Sequence, residues 1–548
     1  MLPAQAATYY VDYSAGSNSN AGTSEGAPFK HAPGDPRRSG SVPTSLSAGD
    51  RVLFKRGVDY VLTNEHVTIV SSGTAGSPIV YSAYGTGDRP RITRDVTLPP
   101  QDLDGFKAEA LRIGITISNL AFVDIGGYPI TDSIWSTDTA GCTTNLLTDP
   151  YGGAGIRMDS GFGDVTIEDC YFEAIGTWTN ASPLSGTQSV SGGGVVLEGG
   201  TNAVIRGSEF TKMRNPIRLQ ASGSFPLKNV TITNNYIHDW IVWGIDVSCT
   251  TVSTRVDNLW IVGNRMANKY QHDQSNWTGC NDAPHTDMIF LRNSGTAAPW
   301  DGTVVANNYF WSDDGTSSGG TAMLYMSEGG GGNALVANNV FYNCEDSAIV
   351  QVAPSSRQAG GRTVWFFHNT FDGGQDRPLR VTGTNHTLVM RGNIFKRAVD
   401  SSTTTLANFE TLPLSLQTAD NLFWNSLRPT GTYYPFYDTG YRTLSTWQGY
   451  GYETNSIYAD PFFVDDDSTP YSSRDLRLTS SSNARGLADD YATLYPDFAQ
   501  YLTNDIAGIP RVAPFDAGAY EYVDGFTPTG LSDITAENAT VGSIVVQP

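Results

Sequence analysis

A pattern of short apolar strands returns about every 24 to 31 residues between roughly residues 117 and 425, and no other feature constrains the chain as strongly. Its anchor is a strand followed by Asn, one residue, and an aromatic or large aliphatic: Asn235-Tyr236-Ile237, Asn264-Arg265-Met266, Asn308-Tyr309-Phe310, Asn339-Val340-Phe341, Asn369-Thr370-Phe371, Asn393-Ile394-Phe395 and Asn421-Leu422-Phe423. Strands this short cannot bury an apolar face alone, so a repeat of this length makes a solenoid in which each coil covers the next. One recurrent strand precedes the Asn, as in Val165-Thr166-Ile167 and Val230-Thr231-Ile232. Another follows a Gly- or Asn-rich turn, as in Gly155-Ile156-Arg157-Met158-Asp159, Gly194-Val195-Val196-Leu197-Glu198, Pro216-Ile217-Arg218-Leu219-Gln220 and Gly244-Ile245-Asp246-Val247-Ser248. Alternation sends the aliphatic residues inward and the intervening Arg, Asp, Glu and Gln outward. Coils stack like parallel strands about 4.8 Å apart, so outward residues at equivalent positions form columns. The repeated Asn reads as scaffold: it tolerates a left-handed bend, and its amide can bond to the same side chain one coil away.

Many Gly, Asn, Ser and Thr with only 16% charged residues fit an all-β chain rich in turns. With 34 basic against 55 acidic residues the net charge is −21, which argues against a nucleic-acid or anionic-membrane partner. No run of 18 apolar residues is present, so no membrane-spanning helix is expected. Ala4-Gln5-Ala6 has the small-x-small form of a signal-peptidase site, from which a secreted, extracellular protein is expected. The five cysteines lack metal-ligand spacing, and Cys249 with Cys280 is the best disulfide candidate.

The two ends of the chain carry a further pattern. Tyr9-Tyr10-Val11-Asp12, Gly16-Ser17-Asn18-Ser19-Asn20-Ala21-Gly22-Thr23 and Ala48-Gly49-Asp50-Arg51-Val52 open it. Ser456-Ile457-Tyr458-Ala459-Asp460-Pro461-Phe462, Asp505-Ile506-Ala507-Gly508-Ile509-Pro510-Arg511 and Asp516-Ala517-Gly518-Ala519-Tyr520-Glu521 close it. These segments resemble the secreted bacterial right-handed parallel β-helix proteins, many of them polysaccharide lyases or glycoside hydrolases. The resemblance implies an all-β right-handed parallel β-helix acting on a polysaccharide. It does not single out one activity, since this scaffold hosts lyases, hydrolases, binding modules and phage tail proteins. The expected organisation is a residual signal or linker over 1–8, a cap and first coils over 9–116, the β-helix over 117–425, an irregular closing region over 426–525, and a linker over 526–548. A monomer is expected, or a trimer under the phage-tail reading.

Three insertions, 128–150, 177–192 and 268–285, break the repeat. Long excursions from one face of a repeat protein often carry its function. The third contains Lys269, His272, Trp277 and His285. Asp246 is outward by alternation, and His285-Thr286-Asp287 begins the strand one coil later. Asp246 and Asp287 are therefore expected to form a carboxylate pair, with His285 orienting it, for acid-base hydrolysis of a glycoside. Glu198 and Glu328 extend the column, while Trp240 and Trp243 offer apolar faces for sugar rings. Each has a plainer reading: an outward Asp as a solvated residue, a Trp as core, and Asp287 turned inward by a bulge. The lyase alternative needs a cation beside a uronate and a base, for which Arg218 and His238 are the best pair. A non-catalytic glycan-binding module would use the same groove. No cofactor is required. Asp465-Asp466-Asp467 offers oxygen ligands for Ca²⁺ but lacks an ordered calcium-loop spacing and reads better as a solvated loop.

Overall fold

The computed structural model describes residues 6–63, 65–95, 103–126, 153–159, 161–175, 192–213, 215–221, 225–240, 243–249, 255–267, 287–293, 301–312, 322–327, 333–342, 348–353, 362–373, 377–383, 386–430, 432–469 and 473–525. The chain forms two compact units, Met1–Val256 with Lys269–Thr286, and Asp257–Asn268 with Asp287–Pro548. In the first unit three parallel sheets grow together. One runs from Thr8–Val11 through Arg112–Ser118, Phe162–Glu168 and Gly200–Arg206 to Leu227–Thr233. The next runs from Asp59–Leu62 through Tyr171–Glu173 and Glu209–Thr211 to Tyr236–His238. The third runs from Val67–Thr68 through Phe106–Ala108, Ala154–Met158, Gly193–Glu198 and Ile217–Ala221 to Trp243–Cys249. The chain visits the three sheets in turn and each circuit adds one strand to each, which is the parallel β-helix read from the repeat. The second unit repeats the arrangement, for example through Asp301–Ala306, Tyr309–Trp311 and Ala322–Met326.

Alternation works as expected. Ile156, Met158, Val195, Leu197, Ile217, Leu219 and Ile245 are all buried inside the first unit. Aromatic residues stack at the coil repeat: Phe122 on Phe172 at 5.2 Å and Phe172 on Phe210 at 4.6 Å in the first unit, and Phe310, Phe341, Phe371, Phe395 and Phe423 at 4.7, 4.9, 4.8 and 5.2 Å in the second.

The anchor Asn residues form an internal ladder. In the second unit Asn264, Asn308, Asn339, Asn369 and Asn393 each send both the backbone N–H and the side-chain amide to the Oδ1 of the next Asn, ending at Asn421, at 2.9 to 3.1 Å. The second amide proton goes to a carbonyl of the preceding coil, as from Asn369 to Val336 O at 2.9 Å. One detail differs from the expectation. The left-handed residue is the one before the anchor, as at Asn307, Asn338, His368 and Asp420, with Gly263 and Gly392 filling the same place. The bend and the ladder are thus separate tasks, and Asn serves both because its short amide bonds locally in either.

The ladder ends on Glu453, whose Oε2 accepts from Asn421 Nδ2 at 2.8 Å and from Ser456 Oγ at 2.6 Å. Burial pushes this fully enclosed carboxyl up to about 7. The folded protein therefore holds the proton more tightly than the unfolded chain, whose Glu titrates near 4.3. The contribution to stability is complete below that value and is lost as pH rises through about 7, by roughly 3 kcal/mol. Denaturant titrations at pH 5 and pH 8 are expected to differ in this sense, and Glu453→Gln should shrink the difference.

The region expected to close the helix folds back along the flank of the second unit. It uses the left-handed corner residues as handles: Asn338 Nδ2 donates to Tyr501 O at 2.6 Å and to Asn504 O at 2.8 Å, Arg511 Nη2 donates to Asn338 Oδ1 at 2.9 Å, and the Tyr491 hydroxyl donates to Asp420. Buried Lys396 joins Asp372 at 3.0 Å to Asp466 at 2.9 Å. Asp466 is therefore a latch onto the β-helix rather than part of a solvated loop. Trp260 and Trp365 pack against this strap, the latter edge-on to Phe498.

Candidate active face

The outward face of the third sheet in the first unit carries a set of charged residues that the repeat aligns. Backbone pairing puts Lys107, Arg157, Val196, Arg218 and Asp246 in one column, each on the next coil. Two residues further along, Glu198, Gln220 and Ser248 form a second column. Asp159 joins its start, because Met158 pairs with Leu197 and each acid follows directly.

Arg157 and Arg218 are each 5% exposed and Asp246 is fully buried, so this face is not a row of solvated side chains. Arg157 Nε lies 2.9 Å from both oxygens of Asp104, which also accepts from Ala154 N at 2.8 Å. Lys107 Nζ stands 3.8 Å from Asp104 and 3.7 Å from Asp159. Arg218 donates through Nη2 to Gln220 at 2.7 Å, and its Nε is 3.7 Å from Asp246 Oδ2. Glu198 sits half-buried among these groups. Burial raises its pKa above the ordinary carboxylate value, Arg218 and Arg157 oppose the rise, and Asp159 adds to it. Asp159 and Glu198 thus present two carboxyls on neighbouring coils, and burial raises that of Glu198.

The expected partner of Asp246 does not share its kind of position. Ile289 and Leu291 are buried and pair with Leu324 and Met326, which gives Asp287 the inward parity of its strand. Its Oδ1 accepts from Ala322 N at 2.8 Å, the same strand-start contact that Asp104 makes with Ala154. The apolar run Met288-Ile289-Phe290-Leu291 hid this register. Trp240 is also corrected: it is fully buried, bridged to Met213, and belongs to the core rather than to a sugar platform. Trp243, at the start of its strand, is half-buried.

Arg218 and His238 lie on different sheets, so the pair offered for elimination is not brought together. His238 is clamped instead between Asp239 at 2.7 Å and Glu209 at 3.2 Å. Burial lowers its pKa, but the two carboxylates outweigh that and push it up to about 9, which makes it a poor base near neutrality. Lys269, His272, Trp277, His285 and Glu328, the three insertions apart from residue 192, and Cys280 with its proposed disulfide lie outside the described residues. Among the described residues no cluster of His, Cys, Asp and Glu is arranged to hold a metal.

Residues 112–282 match the family model described as "Right handed beta helix region". A curated relative, lacto-N-biosidase of Bifidobacterium longum subsp. longum, is 24% identical over 278 residues, covering 46% of this chain and 16% of the relative. The chain therefore spans about one sixth of that relative. Among solved structures, a complex of XylC with xylose superposes with a TM-score of 0.50 at 11% identity, covering 94% of this chain and 98% of that one. Lacto-N-biosidase of Eubacterium ramulus superposes with a TM-score of 0.48 at 14% identity, covering 79% and 67% respectively. The three parallel sheets, the matched family model and the likeness to XylC establish the fold, and the chain is a right-handed parallel β-helix.

Proposed function

Taking the right-handed parallel β-helix as premise, we propose that this chain is a carbohydrate-active enzyme, a glycoside hydrolase working on a glycan outside the cell. The observation that carries the reading is the Asp159–Glu198 pair on neighbouring coils, with the Glu198 carboxyl raised by burial. Similarity to a glycosidase among the curated proteins supports the class of reaction. Glu198, whose carboxyl holds its proton more tightly because it is buried, donates to the glycosidic oxygen as the leaving group departs. Asp159 attacks the anomeric carbon and forms a glycosyl ester. Water then enters, gives its proton to Glu198, and releases the sugar and the Asp159 carboxylate. Equivalent positions on adjacent coils are about 4.8 Å apart, near the roughly 5 Å separation of retaining glycosidases.

The test is a screen of neutral and uronate-containing glycans, read by reducing ends and ultraviolet absorbance together. New reducing ends without an ultraviolet-absorbing product, and a first-formed sugar of retained anomeric configuration by proton NMR, are expected. An unsaturated product would overturn hydrolysis, and an inverted one would overturn the role given to Asp159.

A further inference from the structure

We infer that Asp246 is a positioning residue: acting through Arg218, it sets the acidity of Glu198. The inference rests on the proposed role of Glu198 and assigns Asp246 a part that requires no contact with substrate.

The geometry is a relay across three coils. Asp246, on Trp243–Cys249, pairs in register with Arg218, on Ile217–Ala221. Arg218 is the outward neighbour of Val196, two residues before Glu198 on Gly193–Glu198. Arg218 Nε lies 3.7 Å from Asp246 Oδ2, while Nη2 donates to Gln220 Oε1 at 2.7 Å, and Gln220 is the register partner of Glu198 itself. Asp246 is fully buried and Arg218 nearly so, which removes water as a screen between these charges. A fully enclosed carboxylate is badly placed to attack a sugar, but well placed to hold a guanidinium.

The charged groups around Glu198 act in opposing directions. Arg157 and Asp159 face it from the preceding coil, and Arg218 with neutral Gln220 faces it from the following one. Arg157 is held by Asp104, and Lys107 sits between Asp104 and Asp159. Arg218 is held by Asp246. Each arginine beside the acid is therefore balanced by its own buried carboxylate. Burial raises the Glu198 carboxyl against the pull of the two arginines, and the carboxylate beside each arginine offsets part of that pull. Remove Asp246 and the charge of Arg218 is left to stabilise ionised Glu198. Its acidity then rises and the acid is lost at lower pH.

Two readouts test this on the full chain. The first is titration of Glu198 by carboxyl ¹³C NMR, with Glu198→Gln assigning the signal; the second is the pH profile of kcat. Asp246→Asn is expected to lower the pKa of Glu198 by about one unit and to move the alkaline limb of the profile down by the same amount. Arg218→Gln is expected to move both upward, and the double variant should match Arg218→Gln, because without the guanidinium Asp246 has nothing to act through. Arg218→Gln also carries the test, with opposite sign, should Asp246→Asn not fold. A folded Asp246→Asn protein whose Glu198 titrates as in the wild type overturns the inference, as does a uniform fall in kcat without movement of the limb. If the NMR titration shifts as expected while Glu198→Gln keeps its turnover, the coupling stands and the catalytic reading of Glu198 fails.

Discussion

Glu198→Gln is expected to lower kcat toward a natural glycan by about 10²- to 10⁴-fold, the range contributed by a positioned general acid. The substitution keeps the shape of the side chain and replaces a half-buried carboxyl whose pKa burial raises, so the fold should be retained. The loss should depend on the leaving group. An aryl glycoside, whose phenolate departs without protonation, should still form the glycosyl ester at a rate close to that of the wild type, and the slow step should move to its hydrolysis. Asp159→Asn should lose activity toward both substrates, because attack on the anomeric carbon is needed whatever leaves. Parallel measurement of the two variants on the two substrates separates acid from nucleophile. Equal losses of Glu198→Gln on both substrates would assign Glu198 to structure or binding instead.

Asn369→Ala is expected to cost about 4 kcal/mol of stability. The side chain receives the N–H and amide of Asn339 at 3.1 and 2.9 Å, and donates to Val336 O at 2.9 Å and Asn393 Oδ1 at 3.0 Å. All of these groups lie within the second unit, and Asn369 is fully buried. Alanine leaves buried donors and acceptors without partners on the two neighbouring coils, each costing about 1 to 3 kcal/mol, partly relieved by relaxation. Asn369→Asp supplies the acceptor but not the donor, and should be nearly as damaging because it buries a charge. Chemical denaturation followed by circular dichroism measures both. A loss below about 1 kcal/mol would mean that coil stacking alone carries the corner, and that the ladder adds register rather than energy.

The columns of the candidate site were legible in the sequence as far as alternation reaches. Arg157, Arg218, Glu198 and Asp246 are outward in the structure, as period 2 requires. Asp159 and Glu198 end two equivalent segments, so their adjacency could have been read from the alignment of repeats. The raised pKa of Glu198 could not, because burial depends on what lies over the sheet. Asp287 was misread because an apolar run such as Met288-Ile289-Phe290-Leu291 has no polar face to mark its phase. Trp240 was misread because a tryptophan beside a turn looks the same in sequence whether it enters the core or faces solvent. His238 and Arg218 were joined by closeness along the chain, although a turn between strands sends them to different sheets.

The sequence by itself determined the coil: where strands start, which side chains turn inward, and which Asn residues stack, because these depend on local alternation and repeat length. Tertiary structure alone decided what each outward charge faces. A carboxylate becomes an acid, a latch or a strand-start acceptor according to its neighbours one coil away and the water they exclude. Glu198, Asp466 and Asp287 carry the same chemical group and sit in three different surroundings for that reason.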